Sequence, residues 1–127
     1  MPTRNNQFKN RLRIKLPNMV KTDTSPIKCY NSGAISSLTY LTARNNFLKV
    51  DRIIEDLGMK PINPMEVTWG IRPSAPWIVH MIKDILLLMG CHAVYFQRNW
   101  KQSRGALWEY KVARWLGKEM FFEKKNS

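Results

Sequence analysis

Three glycines, Gly58, Gly90 and Gly117, each close a stretch with helical periodicity, and each stands before a short strand-like run. That punctuation leaves few folds open, because glycine just past a helix is a common stop signal. Before Gly58, residues Tyr40, Ala43, Phe47, Val50, Ile54 and Leu57 recur at spacings of three and four, one apolar stripe of a helix. Before Gly90, Trp77, Ile78, Met81, Ile82, Ile85, Leu88 and Met89 form a second stripe, with Ser74 as its expected cap. Before Gly117 a third helix opens at Ser103. The runs that follow, "MKPINP" at 59–64, "CHAVYFQ" at 91–97 and "KEMFFEK" at 118–124, join an earlier one, "PIKCYNSG" at 26–33. The order β-α-β-α-β-α-β calls for a parallel sheet flanked by helices. The expected fold is a single three-layer α/β domain, Rossmann-like or flavodoxin-like, with a mostly parallel sheet of four to five strands.

The length, 127 residues, suits one such domain. No apolar run reaches the roughly 18–20 residues a membrane span needs. The charge of +12 is uneven, with net +5 on residues 1–24, +2 on 25–97 and +5 on 98–127. Residues 1–24 therefore read as a basic arm, with "RLRIKL" at 11–16 alternating like an edge strand, and 25–127 as the folded domain. Such a charge attracts phosphate-bearing partners, from nucleotides to nucleic acid, and equally keeps a surface solvated. Nucleic acid binding through the arm and self-association into a homo-oligomer are two partner expectations; a membrane is not one. The arm lacks the apolar centre of a secretory signal, so a cytoplasmic location is expected, with mitochondrial import as the alternative. Cys29 and Cys91 have no ligand spacing around them, so no metal site is expected, and "NSGA" at 31–34 is not a GxGxxG fingerprint, so no cofactor is expected either.

In a parallel α/β sheet, ligands bind beyond the carboxyl ends of the strands. Three loops meet there. "NSGA" at 31–34 brings Ser32 and Gly33, the latter without a Cβ to hinder a sugar or phosphate, or else a plain turn. Asn63 precedes the long 65–76 loop. "RNWKQSRG" at 98–105 offers Trp100 to stack on a base. It then opens a helix at Ser103, Arg104 and Gly105, where backbone N–H groups form an anion site. Asp84 shares the second helix's apolar stripe, either as a proton donor or as an edge acid paired with His80 one turn earlier. His92 begins the third strand and could exchange a proton or serve structurally.

Glu109 is the sharpest feature. At 3.6 residues per turn it shares a side with Gly105, Ala106, Val112, Ala113 and Leu116, while Arg104, Leu107, Lys111 and Arg114 fall on the other side. Its neighbours at three and four positions are not basic, so no helical ion pair is available to it. A buried unpaired carboxylate is costly, so loop donors, the helix N-terminus or a ligand must compensate. An ionised acid held at a reacting bond, as a nucleophile, is one use of such a placement. A core acid satisfied by backbone donors is the other.

The succession "YNSGA", "LGMKPINP", "MIKDILLLMGCHAV" and "NWKQSRGALWEYKVARWLGKEMFF" resembles the nucleoside 2-deoxyribosyltransferase superfamily. It is most similar to the small members found in phage and bacterial genomes. The resemblance covers roughly residues 27–123. It implies that Glu109 attacks C1′ of a deoxynucleoside or its monophosphate, that Asp84 assists the leaving base, and that Ser103 lies at the sugar or phosphate. It further implies that the 31–34 loop shapes the sugar site. The chain departs from the pattern at Cys91-His92-Ala93-Val94, where the small members usually read C-D-x-V, and at Gly33-Ala34, where they read Gly-Pro. The leading expectation is N-glycosidic cleavage or deoxyribosyl transfer, as a hydrolase or a transferase. The alternatives are a non-catalytic binder of a nucleotide or nucleotide signal, and a basic nucleic-acid or assembly partner that reuses the fold.

Overall fold

The structure is a computed structural model, and it describes residues 25–124. The basic arm and the expected 11–16 strand lie outside the described residues. Four strands, β1 (Lys28–Ser32), β2 (Lys60–Ile62), β3 (Ala93–Phe96) and β4 (Glu119–Phe122), alternate with helices α1 (Tyr40–Asp56), α2 (Trp77–Met89) and α3 (Arg104–Trp115). Every pairing is parallel, in the order β2-β1-β3-β4. The chain steps from β1 outward to β2 on one side and then to β3 on the other. That reversal is a topological switch point, and it opens a crevice at the carboxyl ends of β1 and β3.

The side-chain alternation of β1 sorts the core into two layers. Cys29 packs with Val50 and Ile54 of α1, and with Ala93 and Tyr95 of β3. Tyr30 packs on the opposite face with Leu88 of α2, Ala113 of α3, and Val94 and Phe96 of β3. One helix therefore covers one face of the sheet and two cover the other. All four residues of β3 are buried, as expected of a strand covered on both sides. The two cysteines are buried free thiols, and burial pushes Cys91 up to about 11, which keeps it protonated.

Three expectations are adjusted. Ser74 does not cap α2; the helix starts at Trp77 with Pro76 at its cap and no side-chain cap bond. Proline suits this place because it has no N–H to leave unpaired and its φ already matches a helix entry. The apolar stripe of α2 is also wider than the face it buries. Met81 and Leu88 are buried, whereas Ile78, Ile82 and Leu86, spaced by four, form a half-exposed row on the outside. The last strand is Glu119–Phe122, shorter than the 118–124 run. No helix among the described residues is long and apolar enough to cross a membrane.

Candidate active site

The crevice at the switch point holds a cavity of about 340 Å³, within the size range of small-molecule sites. Its walls come from α2, from the loop after β2, and from the opening of α3, and its floor holds Tyr30 and Glu109. Ser103 caps α3 by accepting from the Ala106 N–H at 3.1 Å. That cap fixes the first turn, and the helical period then carries Glu109 onto the inner face with Ala106 and Ala113. The small side chains around it let α3 approach the sheet.

Glu109 is 4% exposed and takes a hydroxyl donor on each oxygen. The Tyr30 phenol donates to Oε2 at 2.6 Å, and the Ser32 hydroxyl donates to Oε1 at 2.7 Å. Both donors lie on β1 two residues apart, so the strand pleat aims them at the same face. The compensation that the sequence demanded thus comes from two strand side chains. Burial pushes the Glu109 carboxyl up to about 8, and the charge of Asp84 adds to the rise. The two hydroxyls and the Lys83 ammonium act against it. Tyr30 is itself held well above its ordinary range, chiefly by burial and then by Glu109, so it remains a proton-bearing donor.

Asp84 lies in the same cavity, 8% exposed, with its carboxyl raised chiefly by burial. Its charge partner is Lys83, the adjacent residue, with Nζ at 3.1 Å from Oδ1. His80, on the same helix, is a smaller influence that acts to lower the Asp84 carboxyl. The aligned hydrogen bonds of the Lys83 ammonium go elsewhere, to the carbonyls of Pro64 at 2.7 Å and Val67 at 2.8 Å. A buried lysine therefore ties α2 to the cavity-lining loop and places a cation beside Asp84, close enough to influence Glu109 as well.

The expected site residues fall into two sets. Glu109, Asp84, Gly33, Ser103 and Gly105 line the cavity, and Ser32 holds Glu109 from below. The others do not line it. Asn63 stands behind the loop, donating to Asp51 Oδ2 and accepting from the Met65 N–H. Trp100 packs into an aromatic cluster with Phe96, Tyr110 and Phe122 instead of standing open for a base. Arg104 lies over the Trp77 ring, 3.8 Å from its centroid. His92 sits just before β3, at the opposite end of the sheet from the crevice, where its Nδ1 accepts from the Lys28 N–H at 3.2 Å. The carboxyl ends of the strands are where the crevice lies, so the first residue of a strand cannot reach it.

Tyr30, Lys83 and His80 are cavity residues that the sequence reading did not propose as site residues. Tyr30 had a usable signal, its spacing of two from Ser32 on one strand. Lys83 had none, since a lysine on a helix ordinarily reads as solvent-facing.

Gly33 is required on steric grounds. A Cβ there would lie 2.3–2.8 Å from the amide of Gln97. That amide cannot swing aside freely, because Gln97 is 1% exposed and its Nε2 donates to Asn31 Oδ1 at 2.8 Å. Gly33→Ala is therefore expected to cost about 2 kcal/mol of stability through overpacking. Urea denaturation would measure it, and a loss below about 0.5 kcal/mol, the size of an ordinary surface change, would show that Gln97 has room to move.

A family model described as "Domain of unknown function (DUF4406)" matches residues 27–122. Among solved structures, the chain is similar to a 2-desoxiribosyltransferase from Leishmania mexicana, with a TM-score of 0.57 and 18% identity, over 80% of this chain and 67% of that one. At that identity the likeness is one of fold. No curated protein matches the chain.

Proposed function

The chain belongs to the DUF4406 family, and from that premise we propose that it cleaves or exchanges the N-glycosidic bond of a nucleoside or nucleotide. The observation that carries this reading is the Glu109 carboxyl at the cavity floor, held by Tyr30 at 2.6 Å and Ser32 at 2.7 Å. Two hydroxyl donors orient a carboxylate and stabilise its charge without blocking a face. The fold likeness to a 2-desoxiribosyltransferase supports the same reading.

In this mechanism a Glu109 oxygen bonds to C1′ of the sugar while the C1′–N bond breaks. The bond pair leaves on the base nitrogen, which takes the proton of Asp84. Water then attacks C1′ and gives its proton to Asp84, and the sugar–Glu109 bond breaks to restore the carboxylate. A second base in place of water gives transfer. This is the two-carboxylate logic of retaining glycoside chemistry. The two acids share one cavity, and charge on Asp84 opposes charge on Glu109, so the pair most readily carries a single charge. Lys83, paired with Asp84, lowers both carboxyls. Ser103 and the first turn of α3 then face the sugar or its phosphate, where a helix N-terminus is suited to an anion.

A second reading is a binder without turnover, and one observation favours it: burial pushes the Glu109 carboxyl up to about 8, and a neutral carboxyl is a poor nucleophile. The pH profile separates the two. Under the glycosidic reading, kcat/KM for base release needs Glu109 ionised and Asp84 protonated, so its pH profile is a bell with one limb near 8 and not near the ordinary 4.5. The measurement is release of free base from a panel of deoxynucleosides and their monophosphates between pH 5 and 9. Ligand-dependent rises in melting temperature with no base released at any pH would establish the binder reading instead.

A further inference from the structure

We infer that His80 recognises the leaving base, a role that rests on the glycosidic reading above. His80 forms part of the cavity wall, and its Nε2 is enclosed, with no hydrogen-bond partner among the described residues. An enclosed polar nitrogen left unpaired costs on the order of 1–3 kcal/mol, and buried polar groups in folded proteins nearly always find a partner. The cavity contents are the remaining source of one.

The position of His80 says which part of a substrate it meets. Trp77, His80, Met81 and Asp84 are spaced by three, one and three along α2, a single stripe of the helix, and all four line the cavity. Helices in this topology run back from the strand ends, so α2 begins at the cavity mouth and descends past His80 to Asp84. Four residues, about 6 Å of helical rise, separate these two residues along the axis. Asp84 meets the nitrogen that leaves C1′. A planar base extending from that nitrogen toward the mouth brings its polar edge to the level of His80. Trp77 and Met81 on the same stripe supply flat and deformable apolar contact. An imidazole Nε2 is a donor when it bears the proton and an acceptor when the proton is on Nδ1 alone, and it suits a ring nitrogen, carbonyl or exocyclic amine on the base. The ligand class is thus a heteroaromatic leaving group with a polar edge. A leaving group without that edge forgoes the contact.

The test compares two leaving groups on one sugar. Natural deoxynucleosides and their monophosphates carry the polar edge, and a 4-chlorophenyl 2-deoxyriboside, with or without a 5′-phosphate, carries none. The readout is the ratio of kcat/KM for natural base to kcat/KM for 4-chlorophenol. His80→Phe keeps the bulk and removes both nitrogens, and the ratio is expected to fall about 10- to 100-fold, the value of one hydrogen bond to a substrate. His80→Gln restores an edge donor and acceptor and is expected to recover part of the ratio. Where His80→Phe fails to fold, the Gln variant still reports through the choice among natural bases. A ratio unchanged in both variants overturns the inference while leaving the glycosidic reading intact. Release of neither leaving group by the unaltered protein defeats the glycosidic reading and the inference with it.

Discussion

Glu109→Gln is expected to lower base release by roughly three orders of magnitude or more, the usual consequence of removing a nucleophile, while nucleotide binding persists. Glutamine keeps the outline of the side chain and one oxygen for the Tyr30 or Ser32 hydroxyl, but it cannot carry the negative charge that attacks carbon. Base release at the unaltered rate would remove Glu109 from the chemistry. The same substitution has a second, independent signature in stability. The carboxyl lies at about 8 in the folded protein, against an ordinary 4.5. A group raised in this way contributes stability that is fully present below 4.5 and is lost as pH rises through about 8. The whole effect is on the order of 4–5 kcal/mol, from the cost of about 1.4 kcal/mol per unit of raised pKa. Urea unfolding at pH 5 and pH 9 is therefore expected to show the parent protein losing stability relative to Glu109→Gln as pH rises. Parallel losses in the two proteins would mean that the folded interior accommodates the charge at little cost.

The second large effect belongs to Lys83. Lys83→Met keeps much of the stem's apolar contact and deletes the ammonium, which is buried with its residue 6% exposed. Three groups lose a partner together: the carbonyl of Pro64, the carbonyl of Val67, and Asp84. Removing one member of a buried charge pair costs about 3–5 kcal/mol, because the other is left uncompensated. Part of that cost is relieved if Asp84 takes up a proton, since Lys83 is the main influence lowering its carboxyl. The expected outcome is a loss of about 3 kcal/mol in urea unfolding at pH 7. It is accompanied by weaker nucleotide binding, because the 64–67 segment of the cavity wall is no longer tied to α2. A loss under about 1 kcal/mol, in the range of an exposed ion pair, would mean that water replaces the ammonium at all three groups.

The two acids illustrate what the sequence could and could not disclose. Glu109 was legible because one number, 3.6 residues per turn, put it among Ala106 and Ala113 whatever the rest of the fold did. Asp84 was legible for the same reason. Their partners were not, because partners come from other elements: Tyr30 and Ser32 lie on β1, far from α3 in the chain, and Lys83 reads locally as a solvated residue. Helix ends followed the glycines closely, since Gly58 and Gly117 adopt the positive φ that favours this residue. The start of α2 did not follow Ser74, because the proline at its cap outweighed the serine two positions earlier. Trp100 and His92 were misplaced for one shared reason. A loop aromatic or a strand-end histidine has no periodicity, so neighbouring packing decides where it points, and the cluster with Phe96, Tyr110 and Phe122 claims Trp100.

The all-parallel sheet also bears on how the protein comes to exist. Without hairpins, no strand can pair with its neighbour in sequence through a tight turn. Cys29 must wait for Pro61 on one side and Ala93 on the other. Such distant pairings close long loops before they are rewarded, which slows folding and prolongs the exposure of unpaired strands. On the ribosome, β1 emerges with the Tyr30 and Ser32 hydroxyls in place, but the acid they serve is made 77 residues after Ser32. A chain halted anywhere before α3 contains the donors without the carboxylate.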